Sequence, residues 1–354
     1  MARQAQNMIK YVMKRILLMV PILIAVLIFT WVLSHMMSVN PYLNKIGTVY
    51  DRETIDRILR ELGYYDPWYV QLGIYFRDFF SGNWGESFVV DEGKPVLQII
   101  EKIFPKTIEL MIISIIVVPI IAIKLGVVSA TNKNKAKDTF IRGMAILGAG
   151  FPIFYIATLV QLFVGVSLKD FTNLGIDIQI VFPNNPTFDD PVPKGGVGTG
   201  FRIIDSVLYN NPIFLFDTLI HIILPVFCMI FVSLSAVTRQ TRSSMLDVLD
   251  QDYVRTARAK GVKEDKVINK HALRNAILPT SHMVIGGTAG ALMGSLFVEM
   301  VFVYKGFGFY MLEAILRGDY FLINGLLVFS AIIVISGTLV ADVAYTIIDP
   351  RIIY

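Results

Sequence analysis

Between Asp252 and Pro279 the chain reads DYVRTARAKGVKEDKVINKHALRNAILP, a polar, strongly basic block between two long apolar segments. Its candidate functional residues are Tyr253, Arg255, Ala257, Arg258, Gly261, His271, Arg274, Asn275 and Pro279. Their chemistry is recognition: exposed charges on a helix suit docking against a groove of a soluble protein. Catalysis finds no such support. The sequence has no G-x-x-x-x-G-K-[ST] phosphate loop, no H-E-x-x-H and no G-x-S-x-G. His35, His221, His271 and His282 are dispersed, and Cys228 stands alone in an apolar run. No metal site, cysteine cluster or intrachain disulfide is expected from them. GGVGTG at Gly195–Gly200 lacks a strand–turn–helix setting and reads as a flexible loop.

Two helices are expected to carry the block. Ser243–Lys260 has acids early in its course, Asp247, Asp250 and Asp252, and Gly261 ends it as a left-handed cap. Lys263–Asn275 reads as the second helix, and Pro279 enters the next apolar segment. Tyr253, Val254, Ala257 and Arg258 are the candidate contacts of the first helix. On the residues alone, a docking helix and a basic loop with helical content both fit.

The surrounding elements are those of a membrane protein. The 354 residues are 55% hydrophobic and 17% charged, with a net charge of +4 and a mean hydropathy of +0.61. That is too apolar for a soluble domain. A bilayer needs roughly 20 mainly apolar residues per helix. Six segments qualify: 16–37, 107–129, 140–166, 218–237, 277–303 and 322–348. The first is too long for a signal-peptide core and reads as a retained span. Lys and Arg gather in 1–15, in the short connection at Lys133, Lys135, Lys137 and Arg142, and in 238–276. With six spans these fall on one side, the cytoplasm, together with both termini. Segments 38–106 and 167–217 then lie outside. The first of these carries a helical aromatic face, Trp68, Tyr69, Leu72, Tyr75, Phe76 and Phe79, which suits the headgroup zone or packing on the spans, with packing favoured. The second is rich in turn formers.

Charges within spans lie near their ends: Glu109 and Glu299 outside, Lys124 and Asp342 inside, all read as structural or interfacial. Gly286, Gly290 and Gly294 recur every four residues, beside Gly287, Ala291 and Ser295. They suit close packing within the subunit, or a crossing against a partner along a pathway.

The basic block resembles the cytoplasmic EAA-type loop of ABC importer permeases, in the form used by the oligopeptide/dipeptide family. The match is YVRTARAKG at Tyr253–Gly261 and HALRNAILP at His271–Pro279. LGYYDPWYVQ (Leu62–Gln71), GNWGESF (Gly82–Phe88), PKTIEL (Pro105–Leu110), HIILPV (His221–Val226), VEMVFVYKGFG (Val298–Gly308) and DPRIIY (Asp349–Tyr354) resemble other family segments in the same order. The insertion at about 172–211 falls outside the resemblance. Arg255, Thr256 and Ala257 keep only the alanine of the EAA register; Lys305 and Ile353 replace a usual proline and arginine.

The resemblance implies an all-α membrane protein with six transmembrane helices, type I importer permease architecture, cytoplasmic EAA-type coupling helices and long extracytoplasmic loops, in the cell membrane. It implies a transporter subunit rather than an enzyme, with ATP and magnesium bound on partner chains and no cofactor on this one. The implied partners are a homologous second permease subunit, two cytoplasmic ATP-binding subunits, an extracytoplasmic substrate-binding protein and the bilayer, with no nucleic acid. Within that reading Gly261 sets the angle between the two loop helices, and Ala257 keeps a small contact. Arg255, Arg258 and Arg274 pair with acids on the ATPase or within the loop. Peptides are the expected cargo and oligosaccharides the alternative. A gated channel or receptor with a basic docking loop is the rival class.

Overall fold

The computed structural model describes residues 2–36, 52–61, 63–166, 192 and 196–348. Asp349–Tyr354 and most of the insertion lie outside the described residues. The described residues form helices, connected by turns: α1 (Ala2–Met36), α2 (Arg52–Glu61), α3 (Trp68–Phe80), α4 (Val96–Thr131), α5 (Ala136–Gly150), α6 (Ile153–Val160), α7 (Arg202–Leu208), α8 (Pro212–Leu249), α9 (Asp252–Ala259), α10 (Glu264–Lys266), α11 (Leu273–Val301), α12 (Phe307–Arg317) and α13 (Tyr320–Ile348). Two π-helical stretches, Gln161–Val166 and Val267–Ala272, follow α6 and α10.

Among the described residues, four helices are long and apolar enough to cross a membrane: Val12–Leu33 within α1, α4, α8 and Tyr320–Ala344 within α13. A fifth crossing is counted if α5 and the α6 stretch to Val164 form one span. The third expected span is therefore not one straight helix. Its two halves meet at 106°. Pro152 explains the break. It has no N–H to donate and forces the preceding residue out of the helical region, and Phe151 is extended, with φ −109° and ψ 141°.

The fourth expected span is longer than 218–237. Asn211 accepts a hydrogen bond from the Phe214 N–H at 3.1 Å, Pro212 opens the helix, and α8 runs 38 residues to Leu249. Half of the α8 apolar window is buried, against 11% for α1, so α8 is the more deeply packed helix.

The chain divides into two compact units, one mainly Met1–Pro105 with Gly306–Val343, the other mainly Lys106–Lys305. In the first, Asp319 is fully buried and organises the GNWGESF turn. Its Oδ2 accepts from Ser87 Oγ at 2.5 Å and from the N–H groups of Phe88, Val89 and Val90 at 3.0–3.2 Å. Gly85, at φ +82°, lies so close to the Phe321 ring that a Cβ has no room. Asp342 pairs with Arg15 at 3.1 Å, which makes this intramembrane charge a helix–helix tie. On α3, Gln71 and Tyr75 bond to α1, while Trp68, Tyr69 and Phe80 are exposed, so the aromatic face is only partly packed.

In the second unit the ends of the helices fix their directions. Near the start of α4, Glu109 Oε1 accepts from the Ile203 N–H at 2.7 Å, just before α8 begins. Thr107 donates to Glu299, near the end of α11, at 2.7 Å. Near the other end of α4, Gly126 approaches Thr241 of α8, and Thr241 meets Thr280 of α11 at 3.3 Å. Hence α4 and α8 run parallel and α11 runs antiparallel to both.

Candidate functional site

The basic block begins where α8 ends. The helix expected over Ser243–Lys260 is broken: α8 stops at Leu249, Gln251 is extended, and α9 starts at Asp252. The α9 segment is short and charged on one side. Val254 and Ala257, three residues apart on the other side, are buried with Ala130, Met245, Val267, Ala272 and Ala276. These two expected docking contacts therefore face the protein's own interior, and Ala257 is small because α9 lies close to its own neighbours.

Gly261 has φ +73° and follows the α9 C-cap, Lys260. The Gly261 N–H donates to the Arg258 carbonyl at 2.9 Å and the Val262 N–H to the Ala257 carbonyl at 3.3 Å. This bond pair is a Schellman cap, and Val262 packs with Ala257 in the same cluster. A Cβ at 261 meets nothing within 4 Å, so glycine is required by backbone conformation rather than by space.

Across the turn, Arg258 grips Glu264: Nη2 to Oε1 is 2.8 Å and Nε reaches both carboxylate oxygens at 3.2 Å. The pair holds the Glu264 carboxyl below the usual carboxylate range and raises the Arg258 guanidinium. Arg258 is thus engaged within the loop. Arg255 is exposed, with Asp252 at 3.4 Å. The Tyr253 hydroxyl accepts from Asn275 Nδ2 at 2.9 Å and ties α9 to the first turn of α11. His271 is half-buried in the π-helical stretch; Arg274 and Pro279 are exposed. The second loop helix does not stop before Pro279. It passes through the π stretch into α11, with Pro279 inside.

A buried knot beneath the block escaped the sequence reading. Asp138, fully buried near the start of α5, takes both forks of Arg242 of α8 at 2.8 and 2.9 Å. It also accepts from Ser129 Oγ of α4 at 2.5 Å and from the Asn134 N–H at 2.9 Å. Asn134 is itself left-handed, with φ 62°. Arg142 stands 3.6 Å away. One carboxylate thus joins α4, α5 and α8 beside the helix that leads into α9. Nothing in the local pattern marks Asp138, whose partner Arg242 is 104 positions away.

A second buried polar set lies at the opposite end of the same helices. Arg202 of α7 lies 3.8 Å from Asp217 and 4.5 Å over the Phe214 ring. His221 Nδ1 donates to the Asp217 carbonyl at 2.6 Å.

Gly286, Gly287 and Gly290 are exposed on α11, and a Cβ at Gly287 or Gly290 meets nothing within 4 Å. Gly294 lies in the same helix, its surroundings outside the described residues. The close packing within this unit uses other glycines: Gly126 against Thr241, and Gly148 against Ser235, both partners on α8.

Residues 122–354 match the family described as "Binding-protein-dependent transport system inner membrane component", and residues 8–111 match its N-terminal companion, "Binding-prot-dependent transport system membrane comp, N-term". The chain is 33% identical over 347 residues to the oligopeptide transport system permease protein AppB of Bacillus subtilis (98% of this chain, 100% of the relative). It is 34% identical over 348 residues to the dipeptide transport system permease protein DppB of Alkalihalophilus pseudofirmus (98% and 100%). It is 31% identical over 347 residues to the Escherichia coli K12 DppB protein (98% and 99%). The multi-pass apolar helices, these end-to-end matches and the motif order agree: the chain belongs to the binding-protein-dependent transport system inner-membrane component family, as a peptide-type ABC importer permease.

Proposed function

We propose that this chain forms half of the translocation pathway of an ATP-driven peptide importer and takes its drive from cytoplasmic ATPases at the α9–α10 turn. The observation that carries the reading is the built turn itself. Its inner face is buried on α8 and α11 through Val254 and Ala257, so a push on α9 is a push on those helices. Its outer face leaves Tyr253, Arg255, Thr256, Ala259 and Lys260 exposed for a partner.

Six crossings, with the third in two pieces, agree with the helix directions. Because α4 and α8 run parallel, the chain between them must return to the starting side. The Asp138 end of α5 lies at the shared end of α4 and α8, and α7 lies at the other. A re-entrant α5–α6 pair would put the basic loops at 133–142 and 239–274 on opposite sides, against the positive-inside pattern. The exposed Gly287 and Gly290 of α11, where a Cβ meets nothing within 4 Å among the described residues, support contact with a second permease subunit.

The relatives named above carry oligopeptides or dipeptides by their names, which supports peptide as the cargo here. An extracytoplasmic binding protein delivering that peptide completes the reading. Gentle affinity purification from the native membrane, with mass spectrometry of what accompanies the chain, tests it. A second permease and one or two Walker-motif ATPases are expected. The chain alone, in a detergent that keeps known importer complexes intact, would overturn it.

A further inference from the structure

One cap motif closes α2, α3, α7, α9, α11 and α12. In each, two successive N–H groups, the first from a left-handed residue, turn back onto carbonyls of the last turn. The left-handed residues are, in chain order, Gly63, Gly82, Asn210, Gly261, Val303 and Gly318. Glycine has no Cβ to clash there and asparagine tolerates the region, whereas a β-branched residue is strained in it. Val303, at φ 51°, is therefore the outlier. Its cap is nevertheless complete. The Val303 N–H donates to the Met300 carbonyl at 3.2 Å and the Tyr304 N–H to the Glu299 carbonyl at 2.8 Å.

The neighbours of Val303 enforce its conformation. Tyr304 is fully buried, and its hydroxyl lies beside Glu109 of α4. Glu299, whose carbonyl closes the cap, is fully buried too, and its side chain accepts from Thr107 of α4 at 2.7 Å. Phe302 is buried, while Val303 itself is only half-buried. Relaxing the valine redirects the chain at Tyr304 and draws that ring away from α4. Burial on both sides thus holds a strain that the valine's own contacts do not explain. Strain over-determined in this way marks a site with a second arrangement.

The strained cap also ends the helix that starts in the basic block. Asn275, in the first turn of α11, bonds to Tyr253 of α9, and the 29 residues of α11 carry that end roughly 43 Å to the cap. A displacement entering at the block reaches Val303 through one continuous helix.

We infer that the end of α11 is a two-state latch: closed with Tyr304 seated against α4 and Val303 strained, open with Val303 relaxed and Tyr304 withdrawn. Valine brings the two states closer in free energy than glycine or asparagine would, and so keeps the latch easy to release. The inference rests on the proposed import function only for the use of the latch in transport.

Amide exchange of the full chain in lipid nanodiscs tests the latch with no transport partner present. After correction for intrinsic rates, Val303→Gly and Val303→Asn are expected to slow exchange at positions 303 and 304 about tenfold, because both relieve the closed state. Val303→Thr keeps the branch and is expected to exchange like the wild type. Faster exchange in the glycine and asparagine chains would show that the valine stabilises the cap by packing, and overturns the inference, as does an unchanged rate. With the ATPases added, the two relaxed chains are expected to lose about fivefold or more of ATP-driven uptake, since the open state becomes rarer, and Val303→Thr to keep it. Normal uptake by both relaxed chains overturns the role of the latch in transport. Absence of uptake by the wild-type chain falls on the import reading instead, and exchange alone then decides the latch.

Discussion

Replacing Gly261 by valine removes a backbone conformation, not a contact. At φ +73° a β-branched residue is strained by roughly 1–2 kcal/mol, while the space around the Cβ is open. The Gly261→Val chain is expected to insert and assemble normally yet lose most ATP-driven uptake, and Gly261→Asn, which tolerates this region, should retain much more. Uptake in vesicles with the ATPases present decides it; normal uptake by the valine chain counts against the turn as a coupling element. Asp138 is a different kind of residue. Its carboxylate serves Arg242, Ser129 and the Asn134 N–H at once, so Asp138→Ala leaves a half-buried cation and two donors without their acceptor. A loss of about 3 kcal/mol or more is expected, read as a lower melting temperature of the purified chain. Asp138→Arg with Arg242→Asp should fail to restore it, because Ser129 and Asn134 then face a donor. Rescue by that swap would show a simple ion pair instead. The Arg258–Glu264 grip gives a pH prediction. The Glu264 carboxyl titrates lower in the folded loop than unfolded, so its stabilisation is complete above about pH 4.3 and fades as pH falls through the lowered value. Both groups are largely exposed, so the effect is small: ordering of the α9–α10 turn, followed by amide exchange, is expected to be flat between pH 8 and 5. A steep change in that window would assign the turn to another group. Gly261 was legible because its preference is local. Asp138 was not, because a buried aspartate looks like any loop-edge acid until Arg242 is brought to it.

Helices announce their apolar length more clearly than their ends or bends. The segments 107–129 and 218–237 mark the apolar cores of α4 and α8, but both helices overrun them at each end, since continued helix satisfies backbone groups at no extra hydrophobic gain. The α5–α6 break was readable from Gly150 and Pro152, yet hydropathy averages across the bend. Pro152→Ala restores an N–H and frees Phe151 to become helical. The expected outcome is a straighter α5–α6, seen as a longer distance between spin labels at Phe140 and Leu162. An unchanged distance would assign the bend to tertiary packing, such as Gly148 against Ser235, in place of the proline. The α9 stripe of Val254 and Ala257 was visible in the spacing as well; whether it faced a partner or the protein itself depends on α8 and α11, which local sequence does not place.

At the scale of the molecule, the helix directions and the basic loops constrain each other. In the proposed topology, parallel α4 and α8 need a crossing between them, and α11, antiparallel to both, carries the chain from the basic block back to the side where α8 began. The sides of the loops from α4 to α11 then follow once one is fixed, and the lysines at 133–137 are expected on the cytoplasmic side. Cysteine labelling checks the whole arrangement, because the lone native Cys228 is buried and contributes little background. Lys260→Cys sits on the exposed α9 tip and Val197→Cys in the segment before α7, 91% exposed. An impermeant maleimide added to intact cells is expected to modify position 197 and spare 260; opening the membrane should expose 260. Labelling of both positions from outside would mean an even number of crossings between them, which the single span α8 forbids. Labelling of 260 alone would invert the topology and take α9 away from any cytoplasmic ATPase. Only the predicted order agrees with the proposed docking of cytoplasmic ATPases at the α9–α10 turn, with the segment before α7 on the opposite side of the membrane.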